Sequence, residues 1–217
     1  MLKSPKNLGI IHFIGIGGIG MSGIAEILFQ SGYRVQGSDL NKSNNTTRLE
    51  SLGIKIYIGQ KKSNIVNAKI IVVSTAISET NEEFLAAKKM FLPIVHRSEM
   101  LGELMRLKQS IAIAGTHGKT TTTSLIAKMI EENGMDPTII NGGIISSLNS
   151  NARLGNGEWM VVEADESDGS FAKLNPTAAI ITNIDLEHLD YHKTEDNLEN
   201  AFFNFVSSIP FYGFVCL

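Results

Sequence analysis

Residues 112–123 read AIAGTHGKTTTT, and the order of residue types in them decides what kind of chain this is. The segment leading in, 110–114, is short, apolar and stopped by glycine, which reads as a buried parallel strand. After the turn Gly115-Thr116-His117-Gly118-Lys119-Thr120, the apolar residues Leu125, Ile126, Met129 and Ile130 recur at helical spacing and are expected on one face. A strand, a tight glycine turn, and a lysine and hydroxyl at the mouth of a helix make a phosphate cradle. The turn's N–H groups and the positive end of the helix dipole point at the anion. Lys119 is expected at the outer phosphates and the Thr120 hydroxyl on Mg²⁺. The general P-loop pattern is G-x-x-x-x-G-K-[ST]; Ile113 stands where its first glycine belongs, so the loop here is a contracted G-x-x-G-K-T. It reads as a site for a nucleotide triphosphate.

Working outward, the chain of 217 residues has room for two modest domains, each with its own core. Hydrophobic (43%) and charged (19%) shares are those of a globular protein, and a net charge of −3 gives no basic footprint for nucleic acid. The single cysteine, Cys216, excludes an intrachain disulfide framework and suits a reducing compartment. No apolar run reaches the ~18 residues of a membrane span. The start, residues 1–7, leads into a strand and glycine motif rather than a cleavage site, so the expected location is cytoplasmic.

Upstream, a strand over 10–14 runs into Gly15-Ile16-Gly17-Gly18-Ile19-Gly20, which satisfies G-x-G-x-x-G, then a helix over 21–31 and a strand over 33–36. With Gly37-Ser38-Asp39 following, this is a βαβ unit laid out like a dinucleotide fingerprint. The glycines let backbone approach a diphosphate, and Asp39 or Ser38 stands ready to hydrogen-bond a ribose or base. The alternative is a glycine turn needed only for packing. A polar loop (41–47) precedes strands over 54–58 and 70–73, the second followed by the small-residue loop Ser74-Thr75-Ala76-Ile77 at a strand's carboxyl end, where open α/β sheets dock ligands. A helix over 81–90, a strand over 93–95 and a helix over 99–107 capped by Ser98 complete a first domain, 1–108. His96 and Arg97 either meet an anion or form a surface pair.

In the second domain, 109–217, a strand over 137–140 ends at Asn141-Gly142-Gly143. The run Trp159-Met160-Val161-Val162 ends in Glu163, the Walker B arrangement for holding Mg²⁺ against phosphates. Among the acids that follow, Glu166 reads as part of a solvated turn. A strand over 178–182 leads to His188, which lies beside acids after a strand end and so reads as a metal ligand. A helix over 195–206 buries Leu198, Phe202, Phe205 and Val206. The apolar run 211–217 is expected to be either a docked terminal strand or the front of a longer domain.

With these motifs placed, the chain resembles the Mur ligases. HFIGIGGIGMSGIAE (12–26), GSDL (37–40), AGTHGKTTTT (114–123), NGG (141–143), EADESDGSF (163–171) and TNIDLEHLDY (182–191) carry the likeness. The resemblance implies a Rossmann-like α/β domain for a UDP-sugar, a central P-loop ATPase α/β domain, and a carboxy-terminal domain for the amino acid. This chain matches the first and an incomplete second. The family assigns the first glycine motif to the UDP part of the substrate: Gly15, Gly17, Gly18, Gly20, Ser38, Asp39, Ser74 and Thr75. ATP is assigned to Gly115, Thr116, His117, Gly118, Lys119, Thr120 and Thr121. The implied catalytic residues are Lys119, Glu163 and His188, with Thr120 and Glu163 on one Mg²⁺ and His188 on a second metal. Asn183 and Asp185 match the motif without a clear role. The implied reaction is ATP-dependent joining of L-alanine to UDP-N-acetylmuramate through an acyl phosphate, in peptidoglycan synthesis, without nucleic acid or membrane. Residues 1–217 by themselves are expected not to ligate. The rival readings are a ligase that recycles murein tripeptide, a non-catalytic UDP-sugar-binding module, and an NAD oxidoreductase, which leaves the P-loop unexplained.

Overall fold

Strand β1 (Ile10–Ile14) is apolar except for His12, as a strand covered on both faces must be. It belongs to a computed structural model that describes residues 8–145, 149–167, 169–187 and 189–217. The chain divides into two compact units, Met1–Met100 and Leu101–Leu217. The division falls inside a helix, upstream of the join expected at Lys108.

In the first unit, β1 is followed by α1 (Ile19–Gln30), β2 (Arg34–Asp39), α2 (Asn44–Ser51), β3 (Lys55–Ile58), a 3₁₀ turn (Lys62–Ile65), β4 (Ala68–Val73), α3 (Glu82–Lys89), β5 (Ile94–His96) and α4 (Arg97–Met105). The strands pair in parallel in the order β3-β2-β1-β4-β5. Strand order reverses between β1 and β4, and such a switch opens a crevice at the carboxyl ends. Ile14, Ile65, Ile71 and Ala87 fill the core on one side.

Three expectations fail here. Strand β2 extends through Gly37, Ser38 and Asp39, because β1 and β3 flank it and take its backbone groups on both sides. The expected polar loop contains α2, whose sequence NNTTRLES hides its helicity. The Ser43–Thr46 capping box starts it, and only Thr46 and Leu49 are buried. Ser98 lies inside α4, and its Oγ is 2.8 Å from His96 Nδ1, so it does not cap.

The second unit runs β6 (Gln109–Ala114), α5 (Lys119–Glu132), β7 (Thr138–Ile145), β8 (Ser150–Arg153), β9 (Trp159–Glu163), a 3₁₀ turn (Ser170–Lys173), β10 (Ala178–Ile181), α6 (Leu189–His192), α7 (Glu195–Ser207) and β11 (Phe214–Cys216). Its sheet order is β11-β10-β6-β9-β7-β8, parallel except for β8. Strand β6 is central, so the loop after it opens at a switch between β9 and β10. Phe171, Phe202 and Phe205 pack with ring centroids 5.0 and 5.1 Å from Phe171. Lys108 Nζ clamps the carbonyls of Gly155 (2.7 Å) and Gly157 (2.5 Å), and burial pushes its ammonium below the usual lysine range.

Helix α5 does not bury the expected face. Thr123 and Ala127 are buried, with Ile126 and Ile130 packed beside them, while Leu125 and Met129 are exposed. The small residues let the helix lie close to the sheet and turn the larger pair outward. Strand β7 continues through Asn141, Gly142 and Gly143, and β8, which has no apolar run, was not foreseen. Among the described residues no helix is long and apolar enough to cross a membrane.

Candidate functional site

The loop between β6 and α5 is braced from the end of β10. A Cβ on Gly115 (φ +124°) would strike the Thr182 hydroxyl and the Asn183 backbone, so glycine is required there. Gly118 takes the left-handed conformation (φ 80°) as the N-cap of α5. Asn183 grips the loop: its carbonyl accepts from Thr116 N–H (3.0 Å), its Oδ1 from His117 N–H (3.0 Å), and its Nδ2 donates to His117 O (3.0 Å). Thr182 Oγ1 donates to His117 O (2.6 Å), and Asp185 N–H donates to Thr116 Oγ1 (2.9 Å). Asn183 and Asp185 therefore hold the loop. The Thr116 and His117 N–H groups are taken by that brace. Helix geometry leaves the N–H groups from Gly118 to Thr121, at the start of α5, without intrahelical partners. The exposed His117 ring has Asp185 and Glu187 carboxylates each 3.7 Å from Nε2.

Lys119 turns back over this loop. Its Nζ donates to Gly115 O (2.6 Å), Thr116 O (3.1 Å) and Glu166 Oε1 (2.8 Å). Glu166 is buried, not part of a solvated turn, and the sequence gives no sign of this because the residue stands in an acidic run. Glu163 sits where expected, at the end of β9, and its Oε2 accepts from Gly142 N–H (2.9 Å). Asn141 also went unassigned in the sequence. It is buried on β7, and its Nδ2 reaches Ser124 Oγ (2.9 Å) and Thr120 O (3.3 Å), tying strand to helix. A Cβ on Gly143 would lie 3.0 Å from Thr120 Cγ2, so Thr120 and Glu163 both border the Gly142–Gly143 backbone. A hydroxyl and a carboxylate are hard oxygen donors, and the Gly142 N–H goes to one Glu163 oxygen, Oε2; this donor set suits Mg²⁺. Among the described residues no group of three His, Cys, Asp or Glu is placed to hold a metal. The expected ligand His188 lies outside the described residues.

The first unit has a cleft of about 520 Å³ at the carboxyl ends of its strands, lined by Gly15, Gly17, Gly18, Asp39, Ser74 and Asn81 among others. Asp39 lines this cleft, and its Oδ2 accepts from Gly17 N–H (2.8 Å). Ser38 is buried and donates to Glu83 Oε2 (2.5 Å), so it is a core group and not a contact in the cleft. Gly20 lies in α1, where a Cβ would meet the Arg97 side chain. Thr75 is exposed outside the cleft lining. A larger cavity, about 790 Å³, lies at the opposite, amino-terminal ends of β6, β9 and β10, away from the P-loop.

Comparison with known proteins adds the following. The model described as "Mur ligase family, catalytic domain" matches residues 10–109, and "Mur ligase middle domain" matches 113–217. A UDP-N-acetylmuramate–L-alanine ligase of Parvibaculum lavamentivorans is 61% identical over 98% of this chain and 43% of its own length. One of Rhodospirillum rubrum is 58% identical over 100% of this chain and 45% of its own. The chain thus spans less than half the length of these curated relatives. The crystal structure of the Thermotoga maritima UDP-N-acetylmuramate-alanine ligase superposes with a TM-score of 0.87 at 33% identity, covering 93% of this chain and 47% of that one. A UDP-N-acetylmuramate:L-alanyl-gamma-D-glutamyl-meso-diaminopimelate ligase from Neisseria superposes at 0.89 with 28% identity, covering 96% and 70%.

Proposed function

The chain belongs to the Mur ligase family, and from that premise we propose that it carries the UDP-sugar-binding and ATP-activating parts of a ligase joining L-alanine to UDP-N-acetylmuramate in peptidoglycan synthesis. The observation that carries this reading is the second glycine loop, with Lys119, Thr120 and Glu163 gathered at the carboxyl end of a central parallel strand. The lactyl carboxylate takes the γ-phosphate of ATP, giving ADP and an acyl phosphate; the alanine amine then displaces inorganic phosphate and the amide forms. The protein's share is positioning and charge stabilisation. The first-turn N–H groups of α5 face the phosphates, and Lys119 meets the outer ones. Thr120 and Glu163 are the residues that would hold Mg²⁺, which neutralises phosphate charge. In the first unit, Gly15, Gly17, Gly18 and Ser74 line the cleft assigned to the UDP part, and Asp39 holds Gly17 in place. L-Alanine is favoured over a murein tripeptide by the 61% and 58% identities to alanine ligases, against 28% to the peptide ligase.

Calorimetry on this chain should detect UDP-N-acetylmuramate and not NADH; the reverse result would discard the substrate assignment. Assayed with the whole gene product, phosphate release should depend on L-alanine. Dependence on the tripeptide instead would move the chain to the recycling class.

A further inference from the structure

Glu166 is a carboxylate only 1% exposed, with its Oε1 2.8 Å from the ammonium of the P-loop lysine. That ammonium has three protons, and Gly115 O, Thr116 O and Glu166 Oε1 together give it three acceptors. Lys119 is therefore saturated by the protein itself and points back onto its own loop. The acid is also fixed from behind. Its carbonyl accepts from Gly169 N–H (3.0 Å) and lies 2.9 Å from Nε2 of the buried His192, whose own carbonyl accepts from Asn197 Nδ2 (2.8 Å). A carboxylate on a pinned, buried turn does not follow a ligand outward, whereas a lysine on a four-carbon stem does.

We propose that Glu166 is a positioning residue: a fixed internal anion that holds Lys119 self-neutralised until a polyphosphate draws the ammonium away. This rests on the reading of the loop as an ATP site. The physical consequence is selection. A weak anion meets a cradle whose positive charge is already balanced at 2.8 Å. A ligand that also engages the first-turn N–H groups of α5 gains enough contacts to compete. Once Lys119 has moved to the phosphates its ion pair with Glu166 is broken, so the wild-type acid opposes binding.

The test is calorimetry of Mg-ATP binding to this chain as wild type, Glu166→Gln, Lys119→Met and the double variant, with melting curves to verify folding. Glu166→Gln keeps the shape and removes the charge, and should bind ATP about five- to tenfold tighter. In the Lys119→Met background the same substitution should change affinity by less than about twofold, because the effect runs through the lysine. A folded Glu166→Gln chain with unchanged or weaker affinity overturns the proposal, as does equal tightening in both backgrounds. If wild type binds ATP and Lys119→Met weakens it, the loop reading stands whichever way Glu166 falls; no binding by any variant removes both. Should Glu166→Gln not fold, the wild-type ¹³C carboxyl resonance of Glu166 decides. It should shift when ATP removes its partner, and a resonance unmoved at saturation refutes the exchange.

Discussion

The two glycine loops share one plan, a parallel strand, a glycine turn and a helix, yet each is stabilised by an internal anion of different reach. In the first unit the anion is Asp39, which takes the N–H of Gly17 and keeps the turn closed on β2. In the second it is Glu166, which takes the side chain of Lys119 and leaves the first-turn N–H groups of α5 to the ligand. The first loop thus contributes shape: among the described residues no lysine lines the cleft beside its glycine backbone, and the acid there, Asp39, is bonded to Gly17 N–H. The second contributes movable charge. A loop of the first kind suits a diphosphate that is held and left unchanged, and one of the second kind suits a phosphate that is transferred.

The largest effect should come from removing the movable charge. Lys119→Ala in the whole gene product should lower ligation by about a hundred- to a thousandfold. It should also lower the melting temperature, since it removes the ammonium that sits 2.8 Å from a buried carboxylate. Near-normal ligation by that variant would erase the distinction between the loops. Next comes Glu163→Ala. Loss of the acid at the end of β9 should raise the Mg²⁺ concentration for half-maximal nucleotide binding by about ten- to a hundredfold; an unchanged titration would leave Glu163 as a brace for Gly142. The smallest effect sharpens the first loop. A Cβ on Gly17 would lie 2.9 Å from both Asp39 Oδ2 and Thr46 Cγ2, whereas at Gly18 the nearest atom is 3.4 Å away. Gly17→Val should therefore destabilise the unit by about 1–3 kcal/mol through the α2 contact. Gly18→Val should fold and weaken UDP-sugar binding by filling the cleft. Melting temperature and calorimetry separate the two, and equal losses of stability would show that both glycines serve packing.

The strands and most helices were legible because their apolar runs and glycine stops are local. Strand β1 falls on the residues expected of it, and Glu163 ends β9 as its apolar run implied. What was hidden depends on partners far away in the chain. Glu166 looks solvated until Lys119, 47 residues earlier, is seen against it. Ser38 looks like a ligand contact until β2 is extended and Glu83, 45 residues on, accepts its hydrogen bond. The polar helix α2 and the antiparallel β8 lack an apolar period, and capping and sheet pairing determine them instead. Asn183 illustrates the intermediate case: its motif was visible, but its grip on His117 required the fold.

Glu83 has a consequence for how this sequence is free to drift. Its carboxylate, fully buried at the start of α3, accepts from Ser38 Oγ and Asn64 Nδ2 (2.7 Å) and lies 3.3 Å from His12 Nε2; His12 Nδ1 in turn meets Gln36 Nε2 at 3.1 Å. Changing any one of the five leaves neighbours without partners away from water, and such groups are strongly non-additive. These positions should be inherited as a block. Among descendants they are expected to be kept together or exchanged together for an apolar set, and a lineage carrying one altered member should carry a compensating change within the same five.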